Sequence, residues 1–298
     1  MPYRWIPGSL LAVALVAPQA HAQSPASGYR ADVEAWRQRR EQRLRADDGW
    51  LTVVGLFWLR EGPNPVGSAP DSAVVLPPPA PADAGTITLV EGRATLAVAP
   101  DADAQVDGRP VTRLALLPDT APGHKAVQIG PVSLHLIDRQ GKLGIRIKDQ
   151  NSPRRKSFRG LHWYPIDERS KVEARWVSYE TPKPIAITNV LGQLDDLSSP
   201  GYATFTWAGQ EVTLYPVLDA PDSQTLFFIF RDATSGKATY GGGRFLYSSL
   251  PKAGTLELDF NKAFSPPCAF TDFATCPLPP PQNRLSVAIE AGEKTPTH

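Results

Sequence analysis

From Ser72 to Leu246 the chain reads as one short strand after another, and this repetition constrains the fold more than any other feature. Thr86–Val90, Arg93–Val98, Val132–Asp138, Leu143–Lys148, Val172–Tyr179, Ile185–Val190, Tyr202–Trp207, Leu226–Arg231 and Thr239–Leu246 are β-branched or aromatic runs with apolar and polar residues in alternation. Runs of that kind at roughly 8–12-residue spacing belong to sandwiches and barrels. Gln140-Gly141, Ala208-Gly209-Gln210 and Ser235-Gly236-Lys237 are the best hairpin turns between them. The expected fold is therefore mostly β: a single sandwich or barrel-like domain over residues 49–294, preceded by an N-terminal helix over 23–48. Trp50 to Leu59 is too apolar to be exposed and belongs in the core.

A proline-rich C-terminal loop closes this plan. Leu256, Leu258 and Phe260 alternate with Glu257, Asp259 and Asn261, the period-two pattern of a half-buried strand, so Asp259 and Asn261 share a face. Pro266-Pro267-Cys268 to Cys276-Pro277 follows, and Ser286–Glu290 reads as another short strand. Proline cannot donate to a ladder, so the loop needs a different fastening. Cys268 and Cys276 are the only cysteines and lie eight positions apart. In an exported chain they predict a short disulfide, for which chain entropy gives roughly 2–3 kcal/mol. A free Cys268 acting as nucleophile is the competing reading.

Export is read from the first residues. Arg4, the apolar run Leu10–Ala17 and Ala20-His21-Ala22 form a leader pattern with a small-x-small cleavage site, which predicts a signal peptide over 1–22 and a periplasmic or secreted protein without a transmembrane span after processing. The chain holds 31 basic and 30 acidic residues, and loss of Arg4 brings the two into balance. A neutral chain is a poor partner for nucleic acid. In the expected helix, about Tyr29 to Ala46, Tyr29, Val33, Trp36 and Leu44 recur near helical spacing while arginines cover the rest, which suits a helix packed on a sheet edge.

Familiar catalytic motifs are missing. There is no GxSxG, Walker loop, dinucleotide fingerprint, HExxH or CxxC, so no cofactor and no metal are expected. His124, His135 and His162 are not spaced like ligands, and each reads as solitary. Two polar clusters remain. In Arg146–Arg159, Arg146 and Lys148 share one strand face and Arg154, Arg155, Lys156 and Arg159 follow, which suits an anionic ligand or a solvated loop. Around Gly241-Gly242-Gly243 stand Asp232, Thr234, Thr239, Tyr240 and Arg244, where glycines mark a close approach by a ligand or another backbone.

TYGGGRFLY, LDFNKAF, PPCAF, ATCPLPP and NRLSVAIEAGEK, with the earlier GWLTVVGLFWLREGPNPVGS and FRGLHWYPID, resemble the blocks of an uncharacterised bacterial and archaeal family, domain of unknown function 1684, over about Trp50 to Lys294. The resemblance implies no reaction. It picks out Tyr240, Arg244, Asp259, Asn261, Cys268, Cys276 and Asn283 as positions in the family's blocks, while Phe264-Ser265 departs from the family's Tyr-Asn. In that family the cysteine pair also occurs in members without a leader, which counts against oxidation. Two functions compete. The first is an exported site for a small polar or anionic molecule, hydrolytic if it turns its ligand over: Asp259 as base, Arg244 holding the anion, Tyr240 donating to an oxyanion, and Asp232, Asn261, Asn283, Arg146 and Lys156 binding. The second is a non-catalytic envelope protein in which the same residues form a buried supporting network.

Overall fold

The computed structural model describes residues 25–297. The expected leader lies outside the described residues. Helix α1 (Pro25–Arg45) starts earlier than its periodicity predicts and buries Val33 and Leu44. Gly49 then lets the chain double back: a Cβ there would stand 2.3 Å from the Leu44 carbonyl oxygen.

Eleven strands follow in the first half: β1 (Val53–Trp58), β2 (Gly62–Gly67), β3 (Val74–Val75), β4 (Gly85–Val90), β5 (Arg93–Val98), β6 (Ala104–Val106), β7 (Arg109–Pro110), β8 (Arg113–Leu116), β9 (Val127–Ile129), β10 (Val132–Arg139) and β11 (Lys142–Asp149). They form a six-stranded sheet, β1-β11-β10-β9-β6-β7, and a five-stranded sheet, β3-β2-β4-β5-β8. Val66, Ile87, Leu96, Val127, Leu134, Ile145 and Ile147 fill the space between. Because side chains alternate along a strand, burying Leu134 and Leu136 sends Ser133 and His135 to the other face. Gln140 and Gly141 both take positive φ, as the tight hairpin between β10 and β11 demands, and Ala208 and Gly209 do the same in the second half.

Short helix α2 (Pro153–Ser157) leads into β12 (Lys171–Thr188), β13 (Leu194–Trp207), β14 (Gln210–Leu214), β15 (Thr225–Phe230), β16 (Arg244–Ser249) and β17 (Thr255–Asp259). The sheets are β14-β13-β12-β17 and β15-β16. A separate aromatic core of Phe228, Phe230, Leu246, Leu256, Leu258 and Phe260 joins them. The architecture is mostly β and sandwich-like with an N-terminal helix, as the strand spacing predicts.

Three local expectations change. Val172–Tyr179 and the Ile185–Thr188 part of Ile185–Val190 belong to one strand, whose register shifts between Ser178 and Lys183; a bulge there absorbs Pro182. Ser235-Gly236 turns, but inside a loop where Gly236 N–H donates to Thr239 O at 2.9 Å, and β16 starts only at Arg244. Ser286–Glu290 is not a strand. Its apolar residues are buried as a strand's would be, yet side chains claim its backbone: Ile289 N–H donates to Asp232 at 2.6 Å and Arg244 takes the Ile289 and Ala291 carbonyls.

Candidate functional site

Arg244 and Asp232 form an ion pair at 3.0 Å with both side chains fully buried. Asp232 also accepts from Thr234 at 2.8 Å, and Thr234 meets Thr239 at 2.8 Å. Burial pulls the Arg244 guanidinium below its ordinary value, with Asp232 opposing. The glycine run marks close approach by backbone: a Cβ on Gly243 would stand 2.6 Å from Phe230 O and from Pro279. This cluster is sealed and knits the irregular 286–291 segment to β16.

Asp259 and Asn261 are elsewhere. Tyr29 of α1 donates to Asp259 Oδ1 at 2.8 Å, Asn261 Nδ2 donates to Tyr29 at 2.9 Å, and Lys262 pairs with Asp259 at 3.1 Å. Burial, then the bond to Asp259, pushes the Tyr29 phenol up. Asp259 edges an open cleft of about 540 Å3 with Lys171, Glu173, Glu257 and Tyr247, into which neither Arg244 nor Asn283 reaches. Asn283 spends its amide on the Tyr215 N–H, the Tyr215 carbonyl and the Ile229 carbonyl at 2.8–3.0 Å. Asp259, Arg244 and Asn283 thus serve three separate networks.

What does converge is the seam where the outer face of β10 and β11 meets the proline loop. Register places His135 opposite Arg146 and Ser133 opposite Lys148. Thr271 donates to Val53 O at 3.2 Å and Arg139 donates to Thr275 at 2.8 Å, tying loop to sheet. Trp50 and Cys268 pack against the apolar cluster that holds Cys276, and Trp50 carries the Arg146 guanidinium 5.1 Å from its ring centre. Tyr240 donates to the Cys268 carbonyl at 3.2 Å. Lys156 stands apart, exposed on α2, while its neighbour Arg154 takes the Phe270 carbonyl.

Arg146 is the unusual member. Its side chain is 6 % exposed, yet Nε and Nη2 have no hydrogen-bond partner among the described residues. Burial, then Arg139, lowers its pKa to about 10. Asp119, the nearby acid, is already engaged by Arg139 at 2.8 Å. An unpaired guanidinium under cover costs several kcal/mol unless something satisfies it.

The cysteines differ from expectation. Both are free thiols where the spacing predicts a disulfide, and Cys268 N–H donates to Cys276 Sγ at 3.1 Å. The loop has other fastenings: besides Thr271, Arg154 and Tyr240, Val190 N–H donates to Cys276 O at 3.0 Å and Leu278 N–H to Thr188 O at 2.8 Å. Local pairing that proline spacing conceals therefore holds it.

Two histidines are not solitary. His124 Nδ1 lies 2.7 Å from Leu117 O, His124 Nε2 is 3.5 Å from His135 Nδ1, and His135 Nε2 is 3.0 Å from Ser133 Oγ. Spacing alone hides this, because His124 arrives from the loop before β9. The chain of contacts resembles a nucleophile with its base, but burial, then Lys148, lowers His135 to about 3. A base that weak removes a serine proton poorly. A second cleft, about 350 Å3 between α1 and Phe264, is lined by Arg39, Arg40, Arg43 and Lys262. Glu293, Asp48 and Asp259 neutralise all but Arg39. Among the described residues no group of three or more histidines, cysteines or acids is placed to hold a metal, and no helix is long and apolar enough to cross a membrane.

A family model described as "Protein of unknown function (DUF1684)" matches residues 156–294. The chain belongs to this family. The DUF1684 segment contains Tyr240, both cysteines and the sealed Arg244–Asp232 pair, whereas Arg146 lies before it. An uncharacterized protein of Haloarcula marismortui, solved in solution by NMR, is 34% identical over 48% of this chain and 80% of its own, with a TM-score of 0.41. The FhaA FHA domain, solved with the intracellular domain of Rv3910, is 19% identical over 31% of this chain and 97% of its own, with a TM-score of 0.22. A further FHA domain, from a study of phosphothreonine-dependent interactions, is 20% identical over 33% and 96%, again at 0.22. Such scores carry no argument about fold or ligand for this DUF1684 protein. No curated protein matches it.

Proposed function

We propose that this is an exported binding protein for a small anionic ligand, held by Arg146 at the seam between the six-stranded sheet and the proline loop. The observation that carries the reading is the pair of unpartnered buried nitrogens, Nε and Nη2, on an arginine only 6 % exposed. Those two nitrogens form the fork that matches a carboxylate or phosphate edge, and each charge-assisted bond would contribute about 1.5–3 kcal/mol. Arg139 and Lys148 add positive potential nearby. Export rests on the leader pattern of residues 1–22. The proposal is binding without turnover, since the Ser133–His135 pair has a base too weak for hydrolysis and the other candidate catalytic groups stand in separate networks.

Thermal melting of the chain from Gln23 onward with acetate, citrate, phosphate and nucleoside monophosphates, at constant ionic strength set by sodium chloride, tests this. A ligand at a hundredfold its Kd stabilises by about 2.7 kcal/mol, a shift of several degrees. The expected result is such a shift with at least one anion, reduced in Arg146→Lys and abolished in Arg146→Met. Equal shifts in wild type and Arg146→Met, or none with any anion, would overturn the reading.

A further inference from the structure

The two thiols at the seam are placed for chemistry that neither anion binding nor loop fastening requires. Cys268 is half-buried, while Cys276 is only 5 % exposed. The Cys268 N–H bond to Cys276 Sγ, 3.1 Å long, holds the two residues against each other in the reduced state. Trp50 packs against the cluster that contains Cys276, and Arg146, over the Trp50 ring, acts on each sulfur by its charge.

We propose that Cys268 and Cys276 form a peroxide-oxidisable dithiol, with Cys268 as the attacking thiolate, Arg146 as its counter-charge and Cys276 as the resolving thiol. Reactive cysteines are those kept as thiolates near a cation and partly open to solvent, and inert ones lie in apolar surroundings without a cation. Cys268 has the first environment. The contact with Cys276 lowers its pKa, burial opposes, Arg146 lowers it further, and the exposed Asp272 carboxylate adds a smaller opposition. The same contact, then burial, pushes Cys276 up, with the Cys268 N–H opposing.

The steps balance. The Cys268 thiolate attacks one oxygen of a hydroperoxide, the O–O bond breaks, and Cys268 becomes a sulfenic acid as hydroxide (or alkoxide) leaves. The leaving oxyanion takes the Cys276 proton. The Cys276 thiolate then attacks Cys268 sulfur, the S–S bond forms, and hydroxide departs to be protonated to water by the proton first lost from Cys268. Two thiols are oxidised by two electrons and one peroxide is reduced. The inference does not rest on an anion occupying Arg146, because only the charge of that residue is used.

The test uses the reduced chain from Gln23 onward, hydrogen peroxide, and intact mass after N-ethylmaleimide. Wild type is expected to lose the mass of two hydrogens and take up no maleimide. Cys276→Ser should stop at a sulfenic acid on Cys268 that dimedone traps. Alkylation of Cys268 against pH should show a midpoint below the free-cysteine value of about 8.5. Arg146→Met should slow it about tenfold at neutral pH, one pKa unit's worth, and Arg146→Lys should restore most of the rate. Circular dichroism on each variant separates these effects from unfolding. The proposal fails if both thiols remain alkylatable after peroxide, if Cys268 gains two oxygens while Cys276 stays free, or if the midpoint is ordinary and indifferent to Arg146.

Discussion

Arg146 and Arg244 are both buried arginines on strands, and they should respond to the same substitution with opposite sign. Arg244 balances Asp232 and serves two carbonyls of the irregular 286–291 segment. Arg244→Met leaves a buried carboxylate without its partner, and urea unfolding should show a loss of about 3–5 kcal/mol. Arg146 has no carboxylate partner and answers only the half-buried Cys268, so Arg146→Met should raise the melting temperature of the ligand-free protein. A lower melting temperature there would mean that Arg146 is structural. In sequence the two are indistinguishable: alternation puts each on a strand face, but only the fold shows that Asp232 meets one while Arg139 keeps Asp119 from the other. Glu293 adds a dependence on pH. Burial holds its carboxyl above the ordinary range, with Arg40 opposing, so the folded chain binds this proton more tightly than the unfolded chain does. Its contribution is therefore greatest on the acid side and is lost as pH rises from about 4.3, the unfolded value, through the folded one. Glu293→Gln, which still accepts from Arg40, should flatten that fall between mildly acid and neutral pH.

Helix α1 is held less by its apolar stripe than by polar pins. Tyr29 reaches Asp259 and Asn261, Arg40 reaches Glu293 and Ser265 O, and the guanidinium of Arg40 lies 4.7 Å from the Phe264 ring centre. Tyr29→Phe removes the bond donated to Asp259 and the one accepted from Asn261, each worth about 1 kcal/mol, while the Asn261 amide keeps the Asp167 carbonyl and Asp259 as acceptors. Limited proteolysis should then cut faster within α1 while the main unfolding transition barely moves. Cutting at the wild-type rate would show that the pin is idle. The helix and most strands were legible because period-two and helical spacing survive in the residues. The 286–291 segment was not, since Val287 and Ile289 keep a strand's burial while Asp232 and Arg244, remote in sequence, take the bonds a neighbouring strand would have made.

Across the whole molecule, apolar residues of 66–147 and of 174–291 form separate clusters, and a polar seam runs between the first sheet and the proline loop. That seam brings together Arg146, both cysteines and Tyr240, which the sequence singled out on other grounds, with Trp50, Thr271 and Thr275, which read only as core or loop. No spacing rule links residues that meet across such a distance along the chain. The direct measurement is at Arg146 itself: the Nε–H resonance in nitrogen-15-labelled protein, assigned by its loss in Arg146→Lys and followed while the anion that gives the largest melting shift is added. A saturable shift of that resonance at the concentrations that stabilise the fold is the predicted result. An unmoved Arg146 signal while exposed arginines drift in proportion to salt would contradict the assignment of this seam as the ligand site.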